Sequence, residues 1–186
     1  MRIPFPSIKY PLIAILRGLK PEETEGVVGA LIETGFRAIE IPLNSPDPFR
    51  SIEIAAKMAP ADCLIGAGTV LSVEDVASLD AAGGKLMVSP NADADVIVAA
   101  RVKGMVTMPG VLTPTEALVA AKAGATGLKF FPASIIGPPA SMRSGRSCRR
   151  IWSLPPSAAS RTRISLNIPR PVSWLSGLAQ AFTSRA

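Results

Sequence analysis

Histidine is absent from this 186-residue chain, and tyrosine occurs once, at Tyr10. The side chain that most often serves as a general base near neutral pH, and most often ligates metals, is therefore missing. Acid–base chemistry falls to Glu, Asp, Lys or Tyr10. The two cysteines, Cys63 and Cys148, have no CxxC spacing, so neither a disulfide framework nor a zinc site is indicated. No charged-then-apolar leader opens the sequence, and no uninterrupted apolar run is long enough to span a bilayer. These absences predict a cytoplasmic soluble protein.

Acidic residues also run out part-way along the chain. Residues 1–138 carry 12 Lys+Arg against 14 Asp+Glu, whereas residues 139–186 carry eight Arg and neither Lys nor acid. The overall charge of +6 therefore hides two unlike segments joined near Pro138. The second also collects Ser, Pro and both tryptophans, Trp152 and Trp174. At face value, such an arm could bind RNA or anionic lipid as a disordered segment. The preferred expectation is a protein with no nucleic-acid and no membrane partner.

What is present is a repeat. Apolar strands begin near residues 11, 37, 63, 86, 105 and 127, a spacing of roughly 20–26 residues with helical patterns between them. The expected strands are Pro11–Arg17, Ala38–Asn44, Cys63–Val70, Leu86–Asn91, Met105–Val111 and a sixth around Lys129. Helices are expected from Pro21 to about Gly35, from about Pro46 to Met58, after a Ser72 cap, from about Asp93 to Lys103, and from about Pro114 to Gly124 with Thr113 as cap. Strands alternating with helices at a steady period predict a parallel sheet. Each strand ends in polar, Gly or Pro residues, as the active face of a (β/α)8 barrel does. The fold class expected is α/β, of (β/α)8 TIM-barrel type and incomplete, with about six β/α units recognisable. A doubly wound open sheet ranks lower, because no glycine-rich dinucleotide fingerprint follows the first strand.

Two charged residues stand inside these apolar strands. Period-2 alternation puts Leu128 and Phe130 on one face and Lys129 with Phe131 on the other. A parallel strand covered on both faces would desolvate the Lys129 amine, depress its pKa and make it a nucleophile toward carbonyls. Glu40 lies between Ile39 and Ile41, where an unpaired buried carboxylate is costly and calls for a partner or a task.

Six blocks occur together and in order: Pro11-Leu-Ile-Ala-Ile-Leu-Arg-Gly18, Glu40-Ile-Pro-Leu-Asn-Ser-Pro46, Ile65-Gly-Ala-Gly-Thr-Val70, Val88-Ser-Pro-Asn91, Met108-Pro-Gly110 and Leu128-Lys-Phe-Phe-Pro-Ala133. Over about residues 8–138 the chain resembles the keto-deoxy-phosphosugar aldolases, and its Glu40–Pro46 block resembles the phosphogalactonate branch more than the phosphogluconate one. The resemblance implies a (β/α)8 barrel, a homotrimer, no metal and no organic cofactor. It implies a small phosphorylated keto-acid sugar as substrate. Lys129 matches the Schiff-base lysine and Glu40 the proton-transferring carboxylate, whose pKa burial would raise. Arg17 and Thr69 match positions that hold the keto-acid end. Asn44 and Ser134 lie at the same rim, and Pro90 and Pro109 shape its backbone.

The resemblance stops after Pro138, which divides the chain into an aldolase barrel portion, 1–138, and an aberrant, poorly ordered tail, 139–186. The family's phosphate-cradling turns, of Val-Gly-Gly-Val and Gly-Leu-Gly-Ser type, are not in these residues. Shifted by two bases, however, codons for Arg146–Ser160 can encode a stretch ending in Val-Gly-Gly-Val, and those for Gly177–Ala186 can encode Leu-Gly-Ser-Gly-Leu-Tyr-Lys-Pro-Gly. Both family-like segments share one frame, which predicts a single-base frameshift just after Pro138.

Overall fold

The computed structural model describes residues 12–132. Tyr10, Ser134, Cys148 and the whole 139–186 segment lie outside the described residues. In chain order the elements are β1 (Ala14–Ile15), α1 (Pro21–Glu33), β2 (Ala38–Pro42), α2 (Pro48–Met58), β3 (Leu64–Gly68), α3 (Val73–Ala81), β4 (Leu86–Val88), α4 (Ala94–Val102), β5 (Val106–Met108), β6 (Gly110–Val111), α5 (Pro114–Lys122) and β7 (Lys129–Phe130). β1 to β5 form one parallel sheet in sequence order, and β6 pairs in parallel with β7. Within each sheet every strand pairs with the next in the chain, and helices link most of them. This is the advancing order of a (β/α)8-type barrel, of which the described residues form part, and it excludes the reversal of a doubly wound sheet among them.

Side-chain alternation decides what faces inward. Ile39, Ile41, Ile65, Ala67 and Met87 join one apolar cluster with Val28, Ile52, Leu79 and Ile97 from the helices. The residues between them point the other way: Ala38, Leu86, Val88 and Val106 make a second, smaller cluster on the barrel's inner face. Glu40 and Pro42 follow Ala38 on that inner face, and Lys129 and Phe131 lie opposite in parity to Leu128 and Phe130, which pack with the outer cluster. The barrel interior is thus apolar at its base and becomes polar toward the C-terminal strand ends.

Three of the expected boundaries shift for reasons visible in the structure. The strand expected over Met105–Val111 divides at Pro109: β5 stays with β4, whereas β6 joins β7. Proline has no N–H to give, but its carbonyl accepts from Lys129 N at 3.0 Å, and Gly110 lies so close to Pro90 that a Cβ would fall 2.1 Å from its carbonyl oxygen. The chain therefore bends there and changes partner. β3 ends at Gly68 because Thr69 takes a left-handed φ of 60°. α2 starts at Pro48 rather than Pro46, since Asp47 sits at the N-cap with a φ of 39° and the proline fits the first helical turn.

Two expected caps are formed. Ser72 Oγ accepts from Asp75 N at 3.0 Å while the Asp75 carboxylate accepts from Ser72 N at 3.1 Å, and Thr113 with Glu116 repeats the arrangement on α5. Ser72→Ala should cost ~1 kcal/mol, seen as a melting point lower by about 2–4 °C. An unchanged melting point would show that the cap adds nothing. No helix among the described residues is long and apolar enough to cross a membrane.

Candidate active site

The polar end of the barrel interior encloses a half-open cavity of about 190 Å³. Five of the six expected residues meet there: Arg17 beyond β1, Glu40 on β2, Asn44 beyond β2, Thr69 beyond β3 and Lys129 on β7. The sixth, Ser134, is outside the described residues. Pro90, expected to shape the rim, also lines the cavity, as do Ile15, Pro42 and Phe131. Pro109 is absent from the lining and contributes through the chain bend described above.

Glu40 is 3 % exposed, and its Oε1 stands 3.9 Å from Lys129 Nζ. That separation exceeds a direct hydrogen bond, so the two groups face each other without touching. Burial raises the Glu40 carboxyl above its ordinary value of 4.5, while the positive charges of Lys129 and then Arg17 pull it back down. Burial wins, because a nearly enclosed carboxylate loses its water and its nearest cation does not touch it.

This shift carries a sign for stability. A carboxyl raised in the folded state holds its proton over a pH range in which the unfolded chain has lost it. Its contribution is complete below the unfolded value and disappears as the pH rises through the folded value. Glu40→Gln removes that loss. The variant should therefore gain stability relative to the parent as pH rises from about 4.5, read by urea unfolding in acidic and mildly alkaline buffers. An equal difference in both buffers would contradict the raised carboxyl.

The expectation that the Lys129 strand is covered on both faces needs correction. The Lys129 side chain keeps 29 % of its exposure, and Phe131 is 45 % exposed. The reason is geometric: the face carrying both residues looks into the open cavity rather than into packed side chains. Phe131 lies beneath the amine, with its ring centroid 5.3 Å from Nζ, which orients the lysine by cation–π attraction.

Neighbouring loops hold the remaining cation. Arg17 Nη1 donates to Asn44 Oδ1 at 3.0 Å, and Gly18 N donates to the buried Ser45 Oγ at 3.0 Å. Leu43 N donates to the Gly68 carbonyl at 2.8 Å, tying the second strand's loop to the third strand. Asn44 thus positions Arg17 and keeps its guanidinium aimed at the cavity. Sequence reasoning missed the Ser45 link, and the adjacent Asn-Ser pair was its only signal. Among the described residues no three His, Cys, Asp or Glu side chains cluster to hold a metal.

Comparison with known proteins places the chain in a family. The family model for KDPG and KHG aldolases matches residues 7–149. The chain belongs to that aldolase family. It is 75% identical over 137 residues to a probable 2-dehydro-3-deoxy-6-phosphogalactonate aldolase of Rhizobium meliloti, covering 74% of this chain and 65% of that protein. It is 50% identical over 130 residues to the 2-dehydro-3-deoxy-6-phosphogalactonate aldolase of Escherichia coli, covering 70% of this chain and 63% of that one. A solved structure described as native KDPGal superposes with a TM-score of 0.73 at 34% identity, covering 98% of this chain and 96% of its own. The matched stretches thus span somewhat less than two thirds of the two curated aldolases.

Proposed function

We propose that this chain is a class I aldolase that cleaves 2-dehydro-3-deoxy-6-phosphogalactonate to pyruvate and glyceraldehyde 3-phosphate. One observation carries the reading: an amine and a buried, raised carboxyl face each other at 3.9 Å in one cavity at the C-terminal ends of parallel strands. The Lys129 nitrogen adds its lone pair to the C2 carbonyl, and the carbinolamine loses water to give an iminium. Glu40 takes the C4 hydroxyl proton, the C3–C4 bonding pair moves toward the iminium, and the aldehyde leaves. Glu40 then returns its proton to C3 of the enamine, and water hydrolyses the resulting iminium to pyruvate and the free amine. A raised carboxyl suits this double duty, since one group must be a competent base and then a competent acid.

Arg17 is the group for the substrate carboxylate, because a guanidinium binds it through paired, charge-assisted hydrogen bonds. Arg17→Ala should raise KM by about 10- to 100-fold with a smaller effect on kcat. Asn44→Ala should move KM in the same direction and by less, since it only positions the arginine. An Arg17→Ala variant with unchanged KM would remove the residue from this role.

The phosphogalactonate epimer is favoured by the Glu40–Pro46 block and by the two phosphogalactonate relatives. Pyruvate release from the phosphogalactonate and phosphogluconate epimers, followed side by side, tests the reading. Faster release from the galactonate epimer is expected. Faster release from the gluconate epimer would move the specificity, and release from neither would overturn the activity.

The family resemblance also supports a homotrimer, for which sedimentation should give three times the chain mass. The boundary at Pro138 carries a proposal of its own: residues 139–186 are a frameshifted continuation of the aldolase portion 1–138. Resequencing the gene should find a one-base slip just after the Pro138 codon, and an intact frame there would refute it.

A further inference from the structure

Gly68 ends β3 beside Glu40, and its missing side chain leaves the space that the carboxylate occupies. The parallel register sets Glu40 opposite Gly66 and Pro42 opposite Gly68, so a Glu40 side chain leaning along its strand arrives over residue 68. A Cβ on Gly68 would stand 1.9 Å from Glu40 Oε2 and 2.9 Å from Glu40 Cδ. Its next neighbour, Pro42 Cα, would be at an ordinary 3.5 Å. The Gly68 backbone is not among the positive-φ glycines, so nothing in its conformation demands glycine. Gly66 differs, because there a Cβ would strike the Leu86 carbonyl oxygen at 1.8 Å and the strand itself would have to move. At Gly68 the only obstacle is the far end of one side chain.

We propose that Gly68 is a positioning residue for the aldol step, its bare Cα face seating the Glu40 carboxylate opposite the Lys129 amine. The proposal rests on the aldolase reading above. A methyl group at residue 68 would push the carboxylate out of its seat while leaving the Lys129 strand in place. A displacement of this size at a proton-transfer group is worth about 10²-fold in rate.

Two half-reactions of the full chain with pyruvate separate the groups. Borohydride trapping reads imine formation at Lys129. Loss of the pyruvate methyl signal in D2O, followed by proton NMR, also needs Glu40 to move a proton at C3. Gly68→Ala should trap pyruvate within about 3-fold of the parent but exchange its methyl protons about 10²-fold more slowly. Combining it with Glu40→Asp should then raise exchange at least about 10-fold over Gly68→Ala alone, because the shorter acid withdraws from the added methyl. A merely structural glycine would lower trapping and exchange together, and the shorter acid would not rescue it; that pattern overturns the proposal. Should Gly68→Ala fail to fold, recovery of folding in the Glu40→Asp combination supports the proposal and continued failure overturns it. A parent that neither traps nor exchanges overturns the aldolase reading and this inference with it. A parent that does both, beside an unaffected Gly68→Ala, overturns the inference alone.

Discussion

Replacing Lys129 by alanine is expected to abolish borohydride trapping of pyruvate and to lower cleavage by at least about 10⁴-fold, since covalent catalysis loses its nucleophile. Among the described residues no second amine lines the cavity. Among the described residues lining the cavity, Arg17 is the only other cation, and a guanidinium does not form imines under these conditions. Lys129→Arg should fail equally, although it keeps the charge beside Glu40 and the cation over Phe131. That comparison separates nucleophile from counter-ion: an arginine variant retaining substantial activity would reduce Lys129 to an electrostatic role.

Glu40→Gln is expected to produce a different signature, with cleavage and methyl exchange falling by about 10²- to 10⁴-fold while pyruvate trapping persists. The amide preserves the shape of the side chain and its place over Gly68, but it can neither take the C4 hydroxyl proton nor return one to C3. The parent's rate should also show an acidic limb governed by the raised Glu40 carboxyl, lying above the ordinary value of 4.5. Protonation removes the base, so activity falls as pH drops through that limb. Loss of trapping in parallel with cleavage would assign Glu40 to imine formation instead. An unchanged exchange rate would remove it from proton transfer altogether.

Much of this arrangement was legible in the residues. The alternation Ala38-Ile39-Glu40-Ile41 places a carboxylate on the inner face, and the alternation around Lys129 places the amine and Phe131 on one side, because strand periodicity is a local property. The Ser72 and Thr113 caps were legible for the same reason: each is completed within four residues. What escaped the sequence depends on neighbours distant along the chain. The bend at Pro109 arises from the close approach of Gly110 to Pro90 and from the Lys129 amide reaching the Pro109 carbonyl. The partial exposure of Lys129 follows from the cavity it faces, which no local pattern encodes. In the sequence Gly68 is simply one of two glycines in the Ile65–Val70 block; the register between β2 and β3 brings Glu40 into the space of its missing side chain.

The Glu40–Lys129 pair also shows which effect governs the site. Coulomb attraction to two cations favours an ionised carboxylate, yet burial outweighs them. A tight ion pair would lock both groups in charged, mutually satisfied forms and leave neither free to react. At 3.9 Å the two groups lie beyond hydrogen-bond contact, so burial rather than pairing decides the direction in which the carboxyl shifts.

The central claim is imine formation at Lys129, and one measurement addresses it most directly. The full chain is incubated with pyruvate, reduced with borohydride, digested, and its peptides are sequenced by mass spectrometry. The account predicts a reduced pyruvate adduct on the peptide containing Lys129 and on no other lysine. An unmodified Lys129, or an adduct carried by Lys20, Lys85 or Lys103 instead, would contradict it.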